Sequence, residues 1–449
     1  MCHKNEREET LAMNTEALYA IYKEHPVLTT DSRCCPEGSV FFALKGETFD
    51  GNNYAMQALQ KGCAFAVVDN PEVARQDNRL ILVPDVLKAL QELAAYHRRV
   101  WGGPVLQITG TNGKTTTKEL IAAVLSEGKT VLYTEGNLNN HIGVPLTLLR
   151  IKPEHEIAVV ETGANHPGEI ADLCRIVEAD FGLITNVGRA HLEGFGSFEG
   201  VKQTKGELYD DLHNRKKKTF INAYDDDLLQ MALSRGFTLQ EDALPYIEGR
   251  VSDITPFVEM QWRADDNQPW HTVQTNLIGA YNIANLRAAV TVGLHFGISP
   301  EQINHALAAY QPTNSRSELR RVGTNCLIVD AYNANPSSMA ASLTNFSMIE
   351  GNHKMVILGD MRELGAGSIE EHRRVVEQLQ GMNLEQLWLV GSEFKKVAKN
   401  GMRVFADVEE VKLALKEEPI SDTTILIKGS NGTKLHQLPQ VIANNDKNN

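Results

Sequence analysis

Short apolar runs rich in Val, Ile, Leu and Phe alternate with stretches of helical period almost from end to end of the chain, a pattern that predicts parallel sheets covered by helices. Residues 40–44, 64–68 and 80–83 read as strands and 86–100 as a helix, before Gly102, Gly103 and Pro104 break the chain. A second block opens with a strand at Val105–Thr109 and continues with strands near Val131, at Ile157–Glu161, at 181–185 and at 219–222. It closes in two helices, 282–296 and 300–310. After Gln311, Pro312, Thr313 and Asn314 the alternation begins again, with strands at 326–331, 354–358, 387–390 and Thr424–Lys428. The predicted fold class is therefore α/β in three domains. A small α/β N-terminal domain spans 14–103, a central P-loop-type parallel sheet 104–312, and a C-terminal Rossmann-like domain 313–449. Residues 1–13 read as a flexible extension, with Met13 an alternative start, and 444–449 as a polar tail.

Composition narrows the function classes. The 449 residues suffice for about three domains, and 42% hydrophobic with 22% charged residues is an ordinary globular balance, neither disordered nor collagenous. With 44 Lys and Arg against 57 Asp and Glu the net charge is −13, which argues against a nonspecific nucleic-acid binder; the basic run 215–218 reads as a solvated loop. The six cysteines form no Cys-x-x-Cys pair, so neither a disulfide framework nor a structural zinc is expected. The charged opening lacks the apolar core of a signal peptide and no stretch is apolar enough for a membrane span, which predicts a soluble, cytoplasmic protein with no nucleic-acid or membrane partner.

The strongest chemical signal follows the strand Val105–Thr109: Gly110, Thr111, Asn112, Gly113, Lys114, Thr115 and Thr116 lead into a helical run at 114–125. Backbone N–H groups of such a loop converge on phosphate oxygens at a helix N-terminus, Lys114 adds a point charge, and the Thr115 hydroxyl suits Mg²⁺. The full P-loop pattern wants Gly at position 108, where this chain has Ile108, so the loop is shortened. Glu161 ends a buried strand, where it either caps the following helix or supplies an oxygen ligand to a hard cation. His191 also follows a strand, and is either a satisfied polar residue or part of a second metal site. Lys205, within Gln203-Thr204-Lys205-Gly206-Glu207, reads from composition as a surface helix lysine.

Together these residues resemble the Mur ligases, ATP-dependent amide-forming enzymes of peptidoglycan precursor synthesis. The resemblance extends over all three blocks. It is carried by Thr30-Asp31-Ser32-Arg33, by Phe42 to Gly51, by the short phosphate loop and by Gly136-Asn137-Leu138-Asn139-Asn140. It continues through Glu161 to His166, Ala190 to Gly196, Tyr281-Asn282-Ile283-Ala284-Asn285, Asp330 to Pro336 and Gly359-Asp360-Met361-Arg362-Glu363-Leu364-Gly365. The Asn-rich run and the last two motifs are most similar to the members that add D-alanyl-D-alanine to UDP-N-acetylmuramoyl-tripeptide.

The resemblance implies roles. Gly110 to Thr116 would hold the ATP phosphates, with Asn282 and Asn285 near the nucleotide and Arg316, Asp330 and Asn333 reaching phosphate and ribose from the third domain. Thr115 and Glu161 would bind one Mg²⁺ and His191 a second, with Lys205 carbamylated as a further ligand. Lys114, His191 and Lys205 are thus the candidate catalytic residues. Ser32, Arg33, Lys45, Gly46 and Asp50, together with Asn137, Asn139 and Asn140, match the segments that grip the UDP-sugar substrate. Three positions depart from the family pattern: Ser315 precedes Arg316 where Gly is usual, His141 stands where relatives are often acidic, and Ala331 follows Asp330 in place of a hydroxyl residue. The implied enzyme is a bacterial cytoplasmic monomer, its third domain closing over the second through a hinge near 311–314. Competing readings are a tripeptide-forming relative, a folylpolyglutamate synthase, a P-loop NTPase switch, or a noncatalytic nucleotide-binding scaffold.

Overall fold

The computed structural model describes residues 12–254, 256–312, 316–351 and 353–446. Most of the extension expected at 1–13, part of the hinge expected at 311–314, and Ser315 lie outside these residues. Met13 does not: its N–H donates to the Leu82 carbonyl at 2.8 Å, so the backbone is tied down there. The chain forms two compact units. One takes the described residues up to Gln107 with Leu132–Thr162 and Asp172–Asp180; the other takes Ile108–Val131, Gly163–Ala171 and everything from Phe181 onward.

In the first unit a parallel sheet runs in the order Leu28–Thr29, Val40–Phe42, Phe65–Val68, Leu80–Leu82. Phe41, Ala66 and Val68 pack on Ala55, Ala58 and Leu59 of the neighbouring helical segment. The helix Val86–Trp101 starts where the Asp85 side chain accepts from the Lys88 N–H and stops at Gly102, whose φ of +70° a side chain would strain. It buries Val86, Leu90, Leu93 and Ala94 at helical spacing. Arg98 on the same face donates to the Val177 and Glu178 carbonyls and to Asp180 at 2.6 Å, so a buried guanidinium has three acceptors, one of them charged. Further along, Ile157–Glu161 lies between Val131–Tyr133 and the start of Val105–Thr109. Its five residues are all buried, as its unbroken apolar run predicts.

In the second unit the strands Phe181–Ile184, Lys218–Ile221 and Ala243–Pro245 are parallel neighbours. Thr185 N–H donates to the Thr109 carbonyl at 2.9 Å, which sets the end of Val105–Thr109 beside Phe181–Ile184 and brings two strand-to-loop exits together. A further sheet has the order Glu318–Val322, Asn325–Asp330, Thr424–Lys428, Lys354–Gly359, Gln386–Val390, Arg403–Phe405, parallel except for its first strand. Successive side chains alternate between faces, so Ile328, Val356, Leu358 and Leu426 enter one apolar core while Leu327, Val329, Met355 and Ile357 enter another. The four strands expected from the sequence are present, with a strand added at each edge, the antiparallel Glu318–Val322 and the parallel Arg403–Phe405.

A second addition is a three-stranded antiparallel sheet, Glu248–Asp253, Glu259–Arg263 and His271–Gln274. Its buried residues Met260, Trp262 and Val273 fall at strand period among polar neighbours, and that alternation was the signal for it. Elsewhere strand and helix ends moved by one or two residues. Of the tail expected at 444–449, residues 444–446 end the helix Leu438–Asp446 and 447–449 lie outside the described residues.

Candidate active site

The phosphate loop hangs between a strand and the helix Lys114–Ser126, and two glycines shape it: Gly110 has φ +141° and Gly113 φ +76°. Its backbone is held by the neighbouring exit loop. Thr111 N–H donates to the Asn186 carbonyl and Asn112 N–H to the Asn186 side chain, each at 3.0 Å, while Thr185 Oγ1 donates to the Asn112 carbonyl at 2.7 Å. Lys114 folds back over the loop, its Nζ donating to the carbonyls of Gly110 at 2.8 Å and Thr111 at 3.1 Å. Thr115 is buried at the first turn of the helix.

Asn285 reaches this loop, with Asn282 bonded to it. Thr117 Oγ1 donates to Asn285 Oδ1 at 3.0 Å, Asn285 Nδ2 to Asn282 Oδ1 at 2.8 Å, and a Cβ on Gly113 would stand 2.8 Å from Asn285 Oδ1. The opposite side of the loop is met by a residue not singled out from the sequence: Asn335 Nδ2 donates to Asn112 Oδ1 at 2.7 Å. The asparagine run at 333–335 was the available signal.

His191 adopts φ +50° at the N-terminus of the short helix Leu192–Phe195 and pairs with the Glu363 carboxylate. Burial lowers its pKa, opposed by Glu363 and reinforced by the charges of Lys114 and Lys205. The His191 and Phe195 ring centroids are 6.2 Å apart and the Lys205 amine lies 5.2 Å from the same Phe195 ring, so His191 and Lys205 meet at Phe195, within reach of the Lys114 charge. Glu363 belongs to a motif quoted from the sequence, but its contact with His191 requires the folded chain.

Lys205 is not the surface lysine that its composition suggested. It is 2% exposed, on a helix, Phe198–Asn214, whose buried stripe runs Val201, Lys205, Leu208, Leu212. A lysine in register with that stripe was the legible sign. Its Nζ lies 3.4 Å from the Ala164 carbonyl and 5.2 Å from the Phe195 ring centroid, and no acid pairs with it among the described residues. Burial, with the charge of Lys114, brings its pKa down to about 7.

The remaining expected site residues form separate groups. Within the first unit, Glu161 accepts from Asn139 Nδ2 at 2.8 Å, and its own N–H donates to Thr134 Oγ1. The Asn140 side chain accepts from the N–H groups of Ile142 and Gly143, starting a helix, and the Asn137 carbonyl accepts from Asn139 N–H. Lys45, Gly46 and Asp50 share one tight turn, in which Gly46 N–H donates to the Phe49 carbonyl, Lys45 pairs with Asp69 at 2.8 Å, and Asp50 accepts from Asn52 N–H. Ser32 and Arg33 sit on the loop after Leu28–Thr29, with Arg33 held by Asp31.

In the second unit, Arg316 stacks 3.8 Å above the Tyr332 ring, the Asn333 side chain accepts from Ala334 N–H, and Asp330 pairs with the buried Lys428 and accepts from Ser342 Oγ. These three are engaged with their own sheet and its flanks. Among the described residues no three His, Cys, Asp or Glu side chains form a metal cluster. A hard cation here would need phosphate oxygens and water to complete its shell, which is the habit of Mg²⁺.

This geometry, a glycine-shaped phosphate loop with a lysine, a histidine and a buried low-pKa lysine gathered beside it, coincides with known families. Family models match residues 26–98 (Mur ligase family, catalytic domain), 108–293 (Mur ligase middle domain) and 315–431 (Mur ligase, glutamate ligase domain). The chain belongs to the Mur ligase family. It is 34% identical over 434 residues, 93% of this chain and 94% of the relative, to the UDP-N-acetylmuramoyl-tripeptide--D-alanyl-D-alanine ligase of Escherichia coli. Two crystal structures share its three-domain α/β fold. MurF from Acinetobacter baumannii is similar with TM-score 0.81 and 32% identity over 93% of both chains. MurF from Thermotoga maritima in complex with ADP is similar with TM-score 0.83 and 25% identity over 94% of this chain and 98% of that one.

Proposed function

We propose that this Mur ligase joins D-alanyl-D-alanine to UDP-N-acetylmuramoyl-tripeptide with conversion of ATP to ADP and phosphate, giving the pentapeptide precursor of peptidoglycan. The observation that carries the reading is the convergence of Lys114, His191 and Lys205 beside the glycine loop, in a chain whose full-length relatives bear that enzyme's name.

The chemistry follows from charge. A peptide carboxylate is a poor electrophile and repels ATP, so it needs activation and screening together. The γ-phosphoryl group passes to the terminal carboxylate of the tripeptide, ADP leaves, and the dipeptide amine attacks the acyl phosphate; phosphate departs as the amide forms and the amine loses its proton. The loop N–H groups and Lys114 hold the phosphate oxygens. On nucleotide binding the Lys114 amine would exchange the carbonyls of Gly110 and Thr111 for those oxygens. Preorganised charge of this kind is worth roughly 3–4 kcal/mol of barrier per donor.

Magnesium fits the donor set when Lys205 is carbamylated. As a bare amine beside Lys114, Lys205 repels a dication; with CO₂ added to its neutral form it becomes an anionic oxygen ligand, and a pKa of about 7 keeps the neutral form populated at neutral pH. Thr115 and Glu161 would hold one ion, His191 and the carbamate a second. When bound, magnesium neutralises the crowded oxygens and polarises the transferring phosphoryl group. The residues that would grip the UDP-sugar are Ser32, Arg33, Lys45, Gly46, Asp50, Asn137, Asn139 and Asn140. Arg316, Asp330 and Asn333 would serve the nucleotide after exchanging the partners described above, and the enzyme would act as a cytoplasmic monomer.

The test is ADP release with each substrate omitted in turn. Release that requires both the UDP-tripeptide and D-alanyl-D-alanine supports the reading; release with ATP alone would instead favour an NTPase, and acceptance of glutamate or diaminopimelate a different ligase.

A further inference from the structure

The loop 186–193 is gripped from two sides, and the second grip is made by Arg189, through Ser337 and Glu371, and by His191, through its pairing with Glu363. On one side Asn186 holds the phosphate loop and His191 faces Lys114 and Lys205. On the other side the loop meets residues from beyond the 313–315 junction. Arg189 N–H donates to Ser337 Oγ at 3.0 Å, the Arg189 guanidinium lies 3.3 Å from Glu371 Oε1, and Glu193 N–H approaches the Glu363 carbonyl at 3.4 Å. The fit is close: a Cβ on Gly188 would stand 2.9 Å from Ser337 Oγ.

The Arg189–Glu371 contact differs from the solvated ion pairs elsewhere on the surface. The Glu371 side chain is 9% exposed, and its only ion-pair partners among the described residues are Arg189 and Arg374, the latter at 3.0 Å on its own helix. A carboxylate this deep costs several kcal/mol if left unpaired. Moving the helix Ser368–Gln380 away from the loop would strip one of its two cations, so the pair stabilises only the assembled arrangement. Among the described residues the Arg189 side chain bonds to no part of the phosphate loop, and its neighbour two residues on is His191.

We propose that Arg189 is a positioning residue: by clasping Glu371 and Ser337 it locks the His191 loop against the C-terminal sheet domain, so that His191 is aligned only when that domain is docked. The effect on catalysis rests on the ligase reading; the clasp itself does not. It predicts that the loop's order and the chemical step share one dependence on Arg189 and Glu371, while substrate affinity does not share it.

The experiment measures two readouts on the full chain with Arg189→Met, Glu371→Gln, the double variant, Arg189→Lys and Arg374→Met. Hydrogen exchange of the 186–193 peptide should rise about tenfold in Arg189→Met and Glu371→Gln, and the double variant should be no worse than the worse single variant. kcat should fall about tenfold with the same non-additivity, with KM for ATP and the UDP-substrate within about twofold of the wild type. Arg189→Lys should recover most of both. Arg374→Met, which touches Glu371 but not the loop, should stay within about twofold of the wild type. Unchanged exchange in both single variants, or effects that multiply in the double variant, would overturn the proposal. Should Arg189→Met not fold, Glu371→Gln and Arg189→Lys decide it by the same criteria. A wild type that forms no amide while the exchange pattern holds would refute the ligase reading and leave the clasp standing.

Discussion

The amine of Lys205 lies 3.4 Å from the carbonyl oxygen of Ala164, an uncharged partner for a side chain that is almost fully buried. Burial sets its pKa near 7, below the 10.5 of a free lysine. Between those values the unfolded chain binds more protons than the folded one, so the stability of the wild type rises with pH through that window. Lys205→Met lacks this dependence. In CO₂-free buffer, the wild-type minus variant difference in unfolding free energy should climb from pH 7 toward about pH 10; a flat difference contradicts the burial argument. In the presence of CO₂, Lys205→Ala should lose ligation, and short carboxylic acids should restore part of it by replacing the carbamate. Indifference to those acids contradicts the carbamate.

Lys114 Nζ donates to the carbonyls of Gly110 and Thr111, uncharged acceptors at a part-buried position where water can take over both bonds. Lys114→Ala should therefore melt within a few degrees of the wild type while kcat falls by roughly 10³ or more, the loss expected for a group that meets charge developing in the transition state. A variant with near-normal turnover would remove Lys114 from the phosphate site.

Gly113 combines φ +76° with a position where a methyl group would stand 2.8 Å from Asn285 Oδ1. Gly113→Ala should cost about 1–3 kcal/mol of stability from the left-handed backbone and the displaced amide. It should also weaken ADP binding, measured calorimetrically, because the same shift moves the loop N–H groups. Unaltered nucleotide affinity would show that the loop tolerates another path.

Arg98 joins Asp180 and two carbonyls at the end of the helix Val86–Trp101. Arg98→Ala leaves the Asp180 carboxylate and the Val177 carbonyl without that donor, and chemical denaturation should report a loss of about 3 kcal/mol. A loss under about 1 kcal/mol would mean that water replaces the guanidinium.

Much of this was legible because periodicity survives folding. The apolar runs at Val105–Thr109 and Ile157–Glu161 became strands with the expected limits, and the loop after the first became the phosphate loop. What the sequence hid depends on partners distant along the chain. Lys205 looks polar until Phe195 and Ala164 close over it, although its place in the stripe with Val201 and Leu208 was visible. Glu363 and Asn335 lie within recognisable motifs, yet their meetings with His191 and Asn112 span 172 and 223 positions of chain, beyond any local pattern. The three-stranded sheet around Trp262 escapes a reading by local pattern because its short alternating strands sit among exposed charges such as Glu248 and Arg250.

The most direct measurement is mass analysis of the nucleotide-sugar product from purified protein, ATP, Mg²⁺, UDP-N-acetylmuramoyl-tripeptide and D-alanyl-D-alanine. The account predicts a UDP-muramoyl-pentapeptide heavier than the tripeptide by D-alanyl-D-alanine less one water, formed one-for-one with ADP. ADP accumulating while the tripeptide stays unchanged, or ligation of a single amino acid in place of the dipeptide, would contradict it.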